Sequence, residues 1–346
     1  MDKPLRVLMV TCEWPGPGQS KTAHFVKRQA DFLRAAGVDV EVFAFQSAKN
    51  PLNYARAWAR LQLKLRRGRY DLIHAQFGQS GIVALPKRLP LVVTFRGSDL
   101  LGIVDDRGGR YARLSGIQKK VSRIVARRAD ARIVVSEHMK KNLPNGLDAH
   151  VIPSGIDFQL FEPTPRDEAR RRLGLPADER LVLFVGRPTQ ARKRHWLAQR
   201  AVEVLNETTP ARLVVAWKVQ HTDVPLYMSA ADALVFTSMQ EGSPNVVKEA
   251  LACDLPVVSV PVGDVEERLK GIEGCELCAD ERPETIAAAL RKVLTRGGRV
   301  HGRESVAHLD ENLITARVIE IYRSVLANQR VSAKTQLMSR VSQAGR

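Results

Sequence analysis

The chain has few aromatic side chains, few cysteines and no long apolar run. Phe, Trp and Tyr make up 5% of its 346 residues. Beside that scarcity there is no helix-turn-helix, zinc-finger or RNP-type pattern, so nucleic acid is not an expected partner. Four cysteines are too few for a disulfide framework at this length. Cys275 and Cys278 form a Cys-x-x-Cys, yet no second pair or histidine cluster completes a zinc site. Their segment reads as a late strand, whereas redox chemistry would want a helix N-terminus. No segment approaches the ~18 to 20 apolar residues of a membrane span, and a short strand begins at Leu5 with no signal-like stretch before it. A soluble cytoplasmic protein is expected.

What is present is an ordinary globular composition, 44% apolar, long enough for two domains with proper cores. The net charge of +17 is unevenly placed. Residues 1–150 hold 27 Lys and Arg against 12 Asp and Glu, and residues 151–346 hold 27 against 25. Much of the excess falls in two helical stretches. Arg56, Arg60, Lys64 and Arg67 share one helical face, and Arg110, Arg113, Lys119, Lys120, Arg123, Arg127 and Arg128 accompany Ile117, Val121, Ile124 and Val125. Such faces could meet anionic lipid headgroups, bind an anionic acceptor, or be no more than solvated helix surface.

Apolar strands alternate with amphipathic helices along most of the chain. Strands are expected at 5–11, 38–45, 71–77, 91–95, 132–136 and 150–153, and again at 181–185, 212–217, 233–237 and 256–260. Strands that are apolar on both faces and alternate with helices predict parallel sheets covered on both sides, hence two Rossmann-like domains. Between them, prolines at 163, 165 and 176 bracket the charged run 166–172, which reads as a connector. The expected boundaries are an N-terminal domain over 1–155, a C-terminal domain over 156–311, a terminal helix over 312–328 and a disordered basic tail over 329–346.

The densest motif follows the apolar run Ala233–Ser238. It reads Glu-Gly-Ser-Pro-Asn-Val-Val-Lys-Glu-Ala-Leu-Ala from Glu241 to Ala252. Ser243 is placed to cap a helix, with Pro244 at its first position. The free amides of such a tip, aided by the helix dipole, suit a phosphate or pyrophosphate. Glu249 then lies about 9 Å further along the axis at 1.5 Å per residue, a distance that suits a carboxylate on a ribose diol. Glu241, before the helix, would face the group on the other end of the diphosphate.

This segment resembles the donor-site signature of the retaining, GT-B-fold glycosyltransferases of family 4 (glycosyltransferase group 1 type). The resemblance runs from about residue 5 to about residue 326. It includes Val185-Gly186-Arg187 with Lys193, Val151-Ile152-Pro153-Ser154-Gly155-Ile156-Asp157, the stretch Val224–Asp232, and Pro256-Val257-Val258. It implies an α/β GT-B fold, two Rossmann-like domains facing a central cleft, with a C-terminal helix crossing back to the first domain. It further implies a hexosyltransferase-type enzyme that takes a sugar from a nucleotide diphosphate sugar, with UDP-sugars foremost, to a glycan or lipid-linked acceptor in cell-envelope or polysaccharide biosynthesis. The protein would be cytoplasmic, with its basic first domain suited to the inner membrane face.

The resemblance distributes the roles. Glu249 binds ribose, and Glu241 contacts the donor sugar or its developing charge. Gly242, Ser243, Pro244, Asn245 and Val246 hold the diphosphate and sugar, while Arg187 and Lys193 neutralise the leaving group. Asp-x-Asp, with which many transferases of another fold hold a divalent cation, is absent from the chain, so no metal or other cofactor is expected and the positive charge falls to side chains and helix tips. Three departures stand out. Arg194 follows Lys193 where relatives usually have glycine. Gly16 and Gly18 are separated in the loop Trp14-Pro15-Gly16-Pro17-Gly18, where relatives often have adjacent glycines near the phosphates. Arg96 in Thr94–Asp99 replaces a histidine common near the donor sugar, and a guanidinium can serve as a fixed cation or donor but not as a base. Only about ten residues separate Trp217 from the Val224–Asp232 element, where many relatives place an extra helix and strand near the nucleobase. Two alternatives stay open: a non-catalytic nucleotide-sugar or glycan-binding pseudo-transferase, and an epimerase or phosphorylase on the same architecture.

Overall fold

The computed structural model describes residues 3–15, 24–47, 50–105, 111 and 115–344, with 332–344 as backbone only. It divides into two compact units. One comprises residues 1–100, 114–153 and 312–346, and the other residues 101–113 and 154–311.

The first unit is built on six parallel strands, β1 (Arg6–Thr11), β2 (Asp39–Ala44), β3 (Leu72–Gln76), β4 (Leu91–Phe95), β5 (Ala131–Val134) and β6 (His150–Val151), in the order β2-β1-β3-β4-β5-β6. Strands β3 and β4 are buried along their whole length, as continuous apolar runs in a doubly covered parallel sheet should be. Leu8, Val10, Ile73, Val93 and Phe95 pack with Leu61, Val125 and Ala126 from two flanking helices, Pro51–Arg67 and Ser115–Arg128. Two glycines let the turn after β3 approach the second of these closely. A Cβ on Gly78 would lie 2.3 Å from Ser122 Oγ, and one on Gly81 would lie 2.5 Å from Val125 Cγ1. After β1 the chain turns outward to β2, then crosses back to β3, which places the topological switch point at the carboxyl ends of β1 and β3.

The second unit repeats the plan with five parallel strands, β7 (Leu181–Val185), β8 (Arg212–Ala216), β9 (Ala233–Phe236), β10 (Val257–Ser259) and β11 (Glu276–Leu277), ordered β11-β10-β9-β7-β8. Its switch point lies between β7 and β9. Helices His195–Asn206 and Pro283–Arg296 supply Leu197, Ala201, Leu205, Ile286, Leu290 and Val293 to the core on one face. Arg170 is fully buried beside the sheet. Its guanidinium donates to the Asp232 carboxylate at 2.8 Å and to the carbonyls of Ala230, Pro176 and Glu179. That many acceptors make burial of the charge tolerable. The late strand expected there is the two-residue edge strand β11, flanked by Cys275 and Cys278, and burial pushes the Cys275 thiol up to about 11 and the Cys278 thiol to about 12.

The terminal helix departs from expectation. It runs from Glu311 to Ala344 without a break, so the helix does not stop at residue 328 and the stretch 329–344 is not a disordered tail. The composition explains this. Nothing from Glu311 to Ala344 is glycine or proline, so the chain contains no helix breaker, and Ala, Gln, Lys, Arg, Leu and Met sustain a helix once the packed part has nucleated it. Ile314, Val318, Tyr322 and Val325 are buried in the first unit. No described helix is long and apolar enough to cross a membrane.

Candidate active site

In the second unit the loops after β7 and β9 meet at the switch point. Gly186 follows β7 with φ 139°, and a 3-10 turn over Ala191–Lys193 brings two cations back toward the sheet. Arg194 follows with φ 50° and ψ 49°, the left-handed region that glycine enters freely and other residues seldom do. This accounts for the glycine that relatives carry there. In this chain the arginine side chain compensates. Its Nε donates to the Thr237 carbonyl at 2.7 Å, and its NH1 and NH2 grip the Glu281 carboxylate at 2.5 and 2.8 Å. Thr237 Oγ1 in turn donates to the carbonyls of Lys193 and Arg194 at 2.9 and 3.1 Å. The loop is tied to the end of β9 from both sides.

Those ties place Lys193 Nζ 2.8 Å from Glu241 Oε1, with Arg192 NH1 2.5 Å from the same oxygen. Arg192 also donates to the Gln240 carbonyl at 2.8 Å. Gly263, at φ +62°, packs against the Glu241–Gly242 peptide so closely that a Cβ there would stand 3.1 Å from the Glu241 carbonyl oxygen. Burial opposes ionisation of Glu241, but Lys193 and Arg192 outweigh it and hold the carboxyl down at about 2. The Lys193 ammonium is pushed below its ordinary value by burial, while Glu241 and Glu249 pull it back up. It also lies 5.1 Å from the Phe236 ring centre. We take the pair as charged, because a carboxylate held this low needs its cation.

The helix that follows starts at Asn245 and ends at Ala252, with Pro244 as the residue before its first turn and no side chain capping it. This corrects the expected start. Ser243 does not cap, and Pro244 lies outside the first helical turn, in the extended conformation (φ −69°, ψ 117°) of a capping position. Glu249 is therefore only four residues from the helix start, about 6 Å along the axis. Its side chain is buried. Among the described residues, Ser243 Oγ, Asn245 Oδ1, Ser238 Oγ and Gln240 Nε2 are buried without a hydrogen-bond partner. Orphaned polar atoms of this kind are costly unless a ligand or water meets them. They surround the tip whose first-turn amides have no intrahelical acceptors. Val246 is buried under that tip, and Gly242 precedes it. Arg187 is exposed on the same β7 loop, its carbonyl accepting from Gln190 N at 3.0 Å. The structure thus brings Arg187, Lys193, Glu241, Gly242, Ser243, Pro244, Asn245, Val246 and Glu249 into the two loops and one helix around the switch point. It adds Arg192, to which the sequence analysis gave no role.

Arg96 belongs to the first unit, at the carboxyl end of β4. Its Nε and NH2 donate to Gln76 Oε1 at 2.9 and 2.6 Å, NH2 also donates to Gln29 Oε1 at 2.9 Å, and the guanidinium stacks 4.8 Å from the Phe25 ring centre. Asp99, three residues on, directs its carboxylate to the backbone amides of Arg96, Gly97 and Gly78 at 2.9 to 3.1 Å. Beneath Gln76 lies His74, with Nδ1 2.6 Å from Tyr322 OH and Nε2 2.7 Å from Thr94 Oγ1. Burial, reinforced by the Arg96 charge, pushes this imidazole down to about 3, so it is neutral. Gln76 and Gln29 thus help to position Arg96 from below. The pattern joins β3, β4 and the terminal helix across 248 positions and leaves no local signal in the sequence. Gly16 and Gly18 lie outside the described residues. Among those residues, no group of three or more His, Cys, Asp or Glu is placed to hold a metal ion.

Two Rossmann-like parallel sheets, one with a cation-and-carboxylate cluster at its switch point, are the architecture of a GT-B glycosyltransferase, and comparison with known proteins agrees. The model of "Glycosyltransferase Family 4" matches residues 5–160, and that of "Glycosyl transferases group 1" matches residues 215–296. A Bacillus subtilis protein, named provisionally as the teichuronic acid biosynthesis glycosyltransferase TuaC, is 33% identical over 56% of this chain and 54% of its own length, so the match spans about half of that relative. The structure of sucrose-phosphate synthase from Thermosynechococcus elongatus superposes with a TM-score of 0.80 at 20% identity, covering 94% of this chain and all of that one. Anabaena Alr3699/HepE, solved in complex with UDP, superposes with a TM-score of 0.66 at 19% identity over 92% of this chain and all of its own. The chain belongs to glycosyltransferase family 4, and its fold is the GT-B fold expected of that family.

The depressed Glu241 ionisation carries a pH signature. Its contribution to stability is present above the ordinary value of 4.5 and is lost as pH falls from there through about 2, because the folded state then binds a proton it otherwise excludes. Melting temperatures of wild type and Glu241→Gln, followed from pH 6 to pH 2, should therefore converge on acidification. Curves that stay parallel across that range would show that the cluster does not hold the carboxylate as described.

Proposed function

We propose that this glycosyltransferase transfers a sugar from a nucleoside diphosphate sugar, foremost a UDP-sugar, to a glycan or lipid-linked acceptor, with retention of anomeric configuration and without a metal ion. The observation that carries the reading is the Arg192–Glu241–Lys193 cluster set beside an uncapped helix tip with orphaned polar atoms. A diphosphate would supply oxygens to the amides of that tip and to Lys193, with Arg187 on the same loop placed to add a second cation. Glu249, further along the helix, accepts hydroxyls of the ribose. Glu241, already ionised, faces the sugar and the positive charge that grows on it.

In the reaction the C1–O bond to the diphosphate breaks as the acceptor oxygen bonds to C1 from the same face. The bonding electrons leave with the phosphate oxygen, and that oxygen takes the acceptor's proton. Cations fixed in advance stabilise the departing charge at no reorganisation cost, which is where electrostatic catalysis gains most. The UDP preference is supported by the solved neighbour that binds UDP. A role in cell-envelope or polysaccharide biosynthesis is supported by the teichuronic acid relative. Incubation with UDP-, GDP-, ADP- and dTDP-sugars and a panel of glycan and polyprenyl-phosphate acceptors, in excess EDTA, should yield a product that keeps the donor's anomeric configuration. An inverted product, or turnover only with added divalent cation, would overturn this mechanism, and tight donor binding with no turnover on any acceptor would favour a binding-only protein.

The acceptor side of the proposal rests on the basic first unit, whose helices suit a cytoplasmic membrane face. Along Pro51–Arg67, Arg56, Arg60 and Arg67 are exposed together with Leu52, Trp58 and Leu63, while Ile117 and Ile124 are exposed on Ser115–Arg128 beside Lys120, Arg123, Arg127 and Arg128. Lys64 is drawn inward to Glu41, so it adds less to this surface than its spacing suggested. Sedimentation with vesicles should show binding that requires anionic lipid and weakens as salt is raised. Equal retention on neutral vesicles would rule out an electrostatic contact.

A further inference from the structure

We propose that Arg192 is a positioning residue: it keeps the Glu241 carboxylate paired while the Lys193 ammonium turns to the donor's diphosphate. The inference deepens the donor reading above and rests on it. Arg192 and Lys193 are neighbours in the 3-10 turn Ala191–Lys193, where successive side chains leave the axis about 120° apart. Two adjacent cations that start so far apart nevertheless converge on one oxygen, Glu241 Oε1, at 2.5 and 2.8 Å. Their other attachments differ. Arg192 is fastened on the Glu241 side of the contact, since its NH1 also donates to the Gln240 carbonyl at 2.8 Å and its carbonyl accepts from Met239 N at 2.9 Å. Among the described residues, Glu241 is the one hydrogen-bond acceptor of the Lys193 ammonium.

An ammonium carries three N–H donors. Lys193 is only 16% exposed, so the protons that Glu241 does not take are largely shielded from water, and phosphate oxygens entering the site can match them. A lysine that was the sole partner of Glu241 could not make that turn at low cost. It would leave a carboxylate of 13% exposure facing an incoming anion with no cation of its own, and a shielded charge stripped of its partner is strongly destabilising. Arg192 removes that cost, because its guanidinium stays on Glu241 through the same nitrogen that the Gln240 carbonyl anchors. The two cations divide the work. Arg192 holds Glu241 ionised and in place for the sugar, and Lys193 is given over to the leaving group.

The test is a calorimetric titration of UDP and of inorganic pyrophosphate, in excess EDTA, into wild type, Arg192→Gln, Glu241→Gln and the double variant. Arg192→Gln should weaken both probes about tenfold, within the range of coupling inside one charge network, because Glu241 then retains Lys193. In the Glu241→Gln background there is no carboxylate to hold, and the same Arg192→Gln change should cost less than about twofold. Arg200→Gln, which removes an equal charge from an exposed helix of the same unit, controls for net charge and should bind both probes as wild type does. Equal losses in the two backgrounds would show Arg192 acting on the diphosphate itself and would overturn the proposal, as would an Arg192→Gln protein that binds like wild type. The comparison within the Glu241→Gln background does not need Arg192→Gln alone to fold, and a loss of about tenfold there is enough to overturn the positioning role. Failure of wild type to bind either probe would overturn the donor site itself.

Discussion

Glu241 is held between Arg192 and Lys193, and the order of the second unit's carboxyl edge follows from that contact. Two cations meet one carboxylate oxygen at 2.5 and 2.8 Å in a place mostly shielded from water. Each of the three groups would be expensive there alone, because burial of an unpaired charge is what proteins avoid most. The cluster therefore couples the loop after β7 to the loop after β9. Thr237 and Arg194 complete the coupling through the backbone. A diphosphate entering this edge meets cations already fixed in position, and part of the attraction it gains is drawn from the pairing they make with Glu241. The same coupling explains how Arg194 holds a backbone conformation that suits glycine. Its side chain bonds to Thr237 and Glu281 offset the strain that the missing glycine would have avoided.

The first unit solves a similar problem by a different means. Arg96 also sits at the carboxyl edge of a parallel sheet, where Gln29 and Gln76 accept from its guanidinium and the Phe25 ring stacks on it. The nearby carboxylate of Asp99 is engaged by three backbone amides. Beneath it, the neutral His74 and the phenol of Tyr322 complete a polar column inside an otherwise apolar sheet. The terminal helix takes part in that column, so its packing and the placement of Arg96 are linked by direct contacts. A guanidinium held this way keeps a fixed orientation, which fits a residue that meets an anionic or polar substrate group in place of a histidine.

The strands were legible because burial on both faces of a parallel sheet demands continuous apolar runs, and those runs are visible in order from Leu5 to Val260. That Lys193 and Glu241 precede and flank the helix carrying Glu249 at one carboxyl edge was legible because their motif is ordered along the chain. The start of the helix at Asn245 was not, because Ser243-Pro244 carries a strong local capping signal that the loop geometry overrides. The terminal helix was underestimated because polar composition was weighed above the absence of glycine and proline. Arg192 was hidden among neighbouring basic residues, and only the fold shows which one turns toward Glu241. The column under Arg96 had no sequence signal at all, since His74 and Tyr322 meet only in three dimensions.

The central claim is that the second unit holds a diphosphate with its own cations. Calorimetric titration of UDP into wild type and Lys193→Ala, both in excess EDTA, tests it most directly. The account predicts binding to wild type without metal and a loss of tenfold or more when Lys193 is removed, on the scale of a charge-assisted contact. Binding that needs added divalent cation, or that is indifferent to Lys193, would contradict it.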